Sequence, residues 1–188
     1  MKLLCLGDSL TYGYDVPPAQ RWTTLVAKKL GVTIQNEGVC GDTTAGMAYR
    51  LQFLNLSAYD GFFLMGGSND VLMDMPLAQT KQHLTNMAAS MAQTGKPVFL
   101  GIPPLMTAQS ALVGWQRSSD VRRHNEMLQE LGNFLHRLSV ENGYHLVSFA
   151  AVMTDEAVYA DGVHPNGQGY ALVSQMVCKA LNGVLHLS

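Results

Sequence analysis

Four short stretches of the chain carry side chains that could act together on a carbonyl group. Gly7-Asp8-Ser9-Leu10 presents a hydroxyl just after the apolar run Lys2 to Leu6. Cys40-Gly41-Asp42 and Gly67-Ser68-Asn69-Asp70 add small residues and an amide, and Asp161-Gly162-Val163-His164-Pro165 sets an acid three residues before a histidine. A serine is a weak nucleophile until a base takes its proton and donors stabilise the oxyanion that forms. An acid at that spacing, across a glycine turn, can reach the imidazole Nδ1 and hold the tautomer whose Nε2 faces a hydroxyl. Ser9, Asp161 and His164 are accordingly the candidate nucleophile, orienting acid and base.

Read singly, each of these residues has an ordinary role. Ser9 suits an N-cap, Asn69 lies in turn chemistry, and His164 reads as a surface residue before a helix. Asp8 and Asp42 read as capping or loop-holding carboxylates, and Asp70 as a brace for the Asn69 loop. Cys40 has no histidine near it in sequence and reads as a packed or partly exposed thiol. His83, His124, His136, His145 and His186 follow no ligand spacing and read as surface or helix-face residues. Cys5, Cys40 and Cys178 are odd in number and far apart, which suits reduced thiols and offers no metal pattern. No metal or organic cofactor is implied.

These side chains need elements to hold them. A first strand over Lys2 to Leu6 is followed by a Gly/Pro-rich loop from Thr11 to Pro18 and a helix from Arg21 to Leu30, stopped by Gly31. Val32 to Ile34 reads as a second strand, and the loop Asn36 to Thr44 caps a helix running to about Leu54. Asp60 to Met65 is a third strand whose continuous apolar run implies cover on both faces. A helix from Pro76 to about Thr94, a strand from Pro97 to Ile102 and a long apolar loop after Pro103-Pro104 come next. Ser118-Ser119-Asp120 caps a helix from Val121 to about Val140. Tyr144 to Phe149 is a fifth strand, and a last helix covers about Pro165 to Leu181, with Pro165 at its first position.

Strands alternating with helices predict a three-layer α/β/α fold around a five-stranded parallel sheet of flavodoxin-like order 2-1-3-4-5. The serine, glycine and asparagine loops then leave the carboxyl ends of three neighbouring strands, where open α/β sheets bind ligands. The length of 188 residues suits one domain over 1–188, and 47% hydrophobic against 14% charged residues excludes disorder. A net charge of -2 gives no footprint for nucleic acid or an anionic membrane surface, so a small-molecule partner is expected. Nothing in the sequence speaks against a homo-oligomer. No signal peptide and no run of roughly 18 apolar residues is read, so the chain is expected to be soluble and cytoplasmic, without stable membrane insertion.

The four blocks in order resemble the GDSL or SGNH hydrolase family of esterases and lipases, nearest its small single-domain thioesterase/lysophospholipase-like members. The resemblance runs through nearly the whole chain, and the family's serine, glycine, asparagine and histidine match Ser9, Gly41, Asn69 and His164, with its triad acid on Asp161. It implies an oxyanion hole from the backbone N–H of Ser9, the backbone N–H of Gly41 and the Asn69 amide. The implied reaction is hydrolysis of a small carboxylic ester, of short to medium acyl chain, through an acyl-enzyme on Ser9. Thioester or lysophospholipid cleavage and deacetylation of a carbohydrate use the same machinery.

Two readings from another class stay open at this point. A flavin-nucleotide binder would place a phosphate near Ser9, Thr11 and Gly13 but leaves Asp161 and His164 unexplained. A non-catalytic binding module would have no use for an intact triad. The loop after the fourth strand brings Leu105, Met106, Leu112, Val113 and Trp115 to the rim, and Leu105, Met106 and Trp115 are candidate walls for an acyl group.

Overall fold

β1 (Lys2–Gly7) is buried from Leu3 onward. In the computed structural model, which describes residues 1–185, the chain continues through α1 (Ser9–Tyr12), α2 (Trp22–Leu30), β2 (Thr33–Gly38), α3 (Thr44–Leu51) and β3 (Gly61–Met65). Then come α4 (Ser68–Leu72), α5 (Leu77–Ala92), β4 (Val98–Ile102), α6 (Gln109–Leu112), α7 (Val121–Asn142), β5 (His145–Ser148) and α8 (Gly167–Leu185). The strands form one parallel sheet in the order β2-β1-β3-β4-β5.

The two-residue period of the strands divides the core in two. Leu3, Cys5, Phe63, Met65 and Phe99 point to the face covered by Trp22 and Val26 of α2 and Tyr170 and Val173 of α8. Their neighbours Leu4, Leu6, Phe62, Leu64 and Leu100 point the other way, onto Met47, Leu84 and Leu131 of α3, α5 and α7. Covered on both faces, these strands have no polar alternation, as the apolar runs predict. α2 ends where the sequence predicts: Gly31 adopts φ 65° and donates its N–H to Ala27 O. α3 stops at Leu51, short of the expected Leu54, and α8 runs past Leu181 to Leu185.

Two features carry this frame to the site. β1 pairs Gly7 with both Gly38 and Met65, so the ends of β2, β1 and β3 stand level and their loops start on one edge. Trp22 is fully buried, and its indole N–H donates to Leu10 O at 3.0 Å. Burial of such a ring contributes on the order of 4–6 kcal/mol, and here it also anchors α2 to the turn that holds Ser9.

The structure differs from the expected elements at the strand ends. Ser9 does not lie in a loop but opens the single helical turn α1, and Asn69 lies in α4. β2 extends to Gly38, and α6 interrupts the long loop after β4. Pro165 is not the first residue of the last helix: it pairs across a bridge with Tyr159, and Asn166 Oδ1 caps α8 by accepting from Gln168 N and Gly169 N. The helix proper begins at Gly167. His124 is buried, not on the surface, because its ring is held between Gln116 and Asp74. His186 lies outside the described residues.

Candidate active site

Asp8 begins the site as the N-cap of α1, its Oδ1 accepting from Leu10 N at 2.9 Å. That geometry turns Ser9 inward at the end of β1, where it is buried and its Oγ lies 2.8 Å from His164 Nε2. His164 Nδ1 in turn lies 2.7 Å from Asp161 Oδ2. The other carboxylate oxygen, Asp161 Oδ1, accepts from His164 N at 2.8 Å and Val163 N at 3.0 Å, closing a tight turn. Gly162 at the bend adopts φ 82°, and an added Cβ would fall 2.3 Å from Ser110 N. A glycine is therefore required twice over, by conformation and by space.

Burial raises the proton affinity of Asp161, but the His164 ring and the backbone N–H groups of His164 and Val163 outweigh it and hold the carboxyl at about 2. An ionised carboxylate only accepts, so Nδ1 carries the proton and Nε2 presents its lone pair to the Ser9 hydroxyl. The imidazole is flanked by two rings, Tyr14 at 4.5 Å and Trp115 at 5.3 Å between centroids. Trp115 Nε1 also donates to Asp161 Oδ2 at 2.8 Å.

The opposite wall comes from the β2 and β3 ends. Gly41 stands at φ 78° on the exposed loop before α3. Asn69 Nδ2 donates to Asp42 O at 2.9 Å, which uses one amide hydrogen, sets the amide plane and leaves the second hydrogen free. The backbone N–H groups of Ser9 and Gly41 have no protein acceptor among the described residues. Ser9, Gly41, Asn69 and His164 line one cleft together with Tyr14, Cys40, Ser68, Leu72, Trp115 and Val163.

Asp42 holds its loop as read, by pairing with Arg50 at 2.8 Å. Asp70 does not brace a loop: Asn69 lies in α4, and Asp70 ties that helix to α3 and α5 by accepting from Thr44 N at 2.9 Å and Thr80 Oγ1 at 3.2 Å. Cys40 is exposed at the rim, and partial desolvation, with a smaller contribution from Asp8, raises its thiol above the ordinary range, which keeps it protonated.

The loop after β4 divides. Trp115 reaches the cleft, but Leu105 does not: it lines a separate groove of about 420 Å³ with Pro103, Gly132 and Asn133. Met106 is buried with Val71, Leu128 and Val163, behind the cleft wall and not on it. Leu112 and Val113 are exposed. Loop residues carry no fixed periodicity, so which of them faces the site is set by α6 and its contacts.

Sequence reasoning missed two neighbours of the site, Arg50 and Tyr14, and the bond from Trp115, read as an acyl wall, to Asp161. Arg50 joins the strand ends by donating to Glu37 O at 3.0 Å and Gly7 O at 3.1 Å. Tyr14 packs on His164, and Trp115 donates to Asp161. The acceptors of Arg50 are backbone carbonyls, which leave no mark in a sequence. An aromatic five residues after the serine, and a tryptophan in the late loop, were the only signals for the other two.

The comparisons agree with this geometry. Residues 5–172 match the model of the GDSL-like lipase/acylhydrolase family. An arylesterase of Vibrio mimicus is 27% identical over 195 residues, covering 99% of this chain and 90% of that protein. Esterase TesA of Pseudomonas aeruginosa is 33% identical over 111 residues, 54% of this chain and 55% of that protein. A crystal structure of a lipolytic G-D-S-L family protein from Veillonella parvula superposes with a TM-score of 0.77 at 26% identity, covering 97% of this chain and 98% of that one. A family match over most of the chain, on a sheet of the order the sequence predicts and around a serine–histidine–aspartate array, leads to one assignment: the chain belongs to the GDSL-like lipase/acylhydrolase family of ester-hydrolysing enzymes.

Proposed function

We propose that residues 1–188 form one catalytic domain that hydrolyses small carboxylic esters through an acyl-enzyme on Ser9. The observation that carries this reading is the hydrogen-bonded series Ser9 Oγ, His164 Nε2, His164 Nδ1 and Asp161 Oδ2, with links of 2.8 and 2.7 Å. Ser9 Oγ attacks the ester carbonyl carbon as its proton passes to His164 Nε2. The displaced carbonyl electron pair settles on oxygen, facing the N–H groups of Ser9 and Gly41 and the free Asn69 hydrogen. Collapse expels the alcohol, which takes the proton from His164, and leaves the acyl group on Ser9. Water attacks the acyl carbon by the same route, its proton going to His164 and then to Ser9 Oγ, and releases the carboxylic acid. Asp161 stays ionised throughout and stabilises the imidazolium.

Tyr14, Leu72, Trp115 and Val163 give the cleft apolar walls, which supports an apolar acyl or leaving group. The name of the Vibrio mimicus relative, arylesterase, agrees. Against a flavin nucleotide, Thr11 is fully buried and Ser9 Oγ already faces His164, so neither hydroxyl is open to a phosphate. Three unpaired cysteines support a reducing, cytoplasmic setting, and no helix among the described residues is long and apolar enough to cross a membrane.

Ser9→Ala and fluorophosphonate labelling test the reading together. The wild type is expected to take the label and to cleave p-nitrophenyl esters; Ser9→Ala is expected to do neither while keeping its circular dichroism spectrum. Turnover retained in Ser9→Ala overturns the mechanism. A panel adding acyl-CoA, a lysophospholipid and an O-acetylated sugar then identifies the leaving group.

A further inference from the structure

Trp115 is held at the triad by a specific polar contact. It is 41% exposed, and the neighbouring Leu112 and Val113 are exposed as well, so apolar burial does not anchor this segment. What anchors it is the turn that carries the acid and base. Thr107 N donates to Gly162 O at 2.8 Å, Gln109 Nε2 donates to Ala160 O at 3.2 Å, and Trp115 Nε1 donates to Asp161 Oδ2 at 2.8 Å. From the other side, Trp115 N donates to Ser110 O at 2.9 Å, and Gln116 Nε2 donates to Ser110 Oγ at 2.6 Å while its carbonyl meets the buried His124.

We propose that Trp115 is a positioning residue of the catalytic pair: by donating its indole N–H to the Asp161 oxygen that also receives His164 Nδ1–H, it fixes the carboxylate and moderates that oxygen's pull on the imidazole proton. The proposal rests on the serine-hydrolase reading above. Its physical basis is the acceptor count at Asp161. Two backbone N–H groups hold Oδ1, so one edge of the carboxylate cannot rotate. On Oδ2 the indole remains a donor while His164 gains and loses its proton at Nε2, and the plane stays set through each transfer. The indole also withdraws negative charge from the oxygen facing His164, which lowers the advantage of the imidazolium over the neutral ring. The titratable groups around this pair are Asp8 at the start of α1, Tyr14 beside the imidazole, Cys40 at the rim and Tyr170 of α8; of these Tyr14 touches Trp115, edge to face at 6.4 Å between centroids, and Trp115→Phe retains a ring to meet it.

Trp115→Phe keeps an aromatic ring beside His164 and in the cleft wall, removes the N–H and trims the fused second ring, so the comparison of acetate with butyrate separates the lost donor from lost wall surface. A charge-assisted hydrogen bond competing with water at a half-open site sets a loss of about tenfold in kcat, expected equally for p-nitrophenyl acetate and butyrate with KM little changed. The acid limb of the kcat/KM profile is expected to move up by about 0.5 pH unit, because an unmoderated carboxylate keeps the proton on His164 to higher pH. Thermal melting should be unchanged. As a second measurement, Trp115→Phe in an Asp161→Ala background is expected to have no further effect on residual kcat, its acceptor being absent. Wild-type kcat in Trp115→Phe, a loss confined to butyrate, an unmoved acid limb, or the same tenfold loss without Asp161 each overturns the proposal. Turnover retained in Ser9→Ala instead removes the mechanism as a whole, so the two failures are told apart.

Discussion

Ser9 Oγ and His164 Nε2 stand 2.8 Å apart although 155 residues separate them in the chain. Neither group does hydrolytic chemistry alone, and the bond between them exists only because β1 and the turn before α8 meet at one edge of the sheet.

Groups that act as a unit lose their function together. Ser9→Ala and His164→Ala are each expected to lower kcat on the order of 10³-fold or more, and the double variant is expected to cost little beyond either one. Steady-state kinetics on one activated ester checks this, and additive losses would mean the two residues act separately.

On the proposed mechanism, Asn69→Ala removes a donor to charge formed only in the transition state. A fall of roughly 10²–10³ in kcat with little change in KM is expected. A rise in KM alone would make Asn69 a substrate-binding residue.

Asp8 gives the stability a pH dependence of known sign. Full burial, partly offset by the Leu10 N–H and by His164, raises its carboxyl to about 7. A group whose folded value exceeds its unfolded value keeps its stabilising contribution below the unfolded value near 4 and loses it as pH rises through about 7. Asp8→Asn still accepts from Leu10 N and cannot ionise, and Asp8 Oδ2 has no protein partner to lose. Relative to wild type, the variant should therefore gain stability between pH 4 and pH 8, by up to about 4 kcal/mol. Urea denaturation at both pH values measures the difference, and a constant offset would show that Asp8 is not protonated in the fold.

Arg50→Met leaves the Asp42 carboxylate without its donor and removes the side-chain donor to Glu37 O and Gly7 O, the latter keeping Val39 N–H. Losing a donor to partly buried acceptors costs about 1–3 kcal/mol. Because Asp42 O orients Asn69, kcat should fall with stability, whereas a drop in melting temperature with unchanged kcat would limit Arg50 to a structural role.

If the acyl group lies in the cleft as proposed, its walls should read acyl length. Each methylene buried contributes up to ~0.8 kcal/mol, so kcat/KM is expected to rise from acetate toward butyrate before falling. Leu72→Ala should flatten that rise, while Leu105→Ala, in the separate groove, should leave it intact. Equal effects of the two variants would mean the acyl group lies elsewhere.

The sequence alone determined the alternation of apolar runs with helical periods, and therefore the parallel sheet and its order. Side-chain period and glycine stops are local properties, carried by residues such as Phe62 to Met65 and Gly31. It also marked Ser9, Asp161 and His164, because a reactive serine needs partners of stated type and the acid and base lie three residues apart. Only the tertiary structure decided that Trp115 meets Asp161 while Leu105 turns away, that His124 is buried, and that Arg50 joins two strand ends. Those contacts join segments far apart in the chain, and several end on backbone carbonyls that every residue possesses. Their geometry comes from how loops settle on a finished sheet, for which local sequence has no repeating pattern to read.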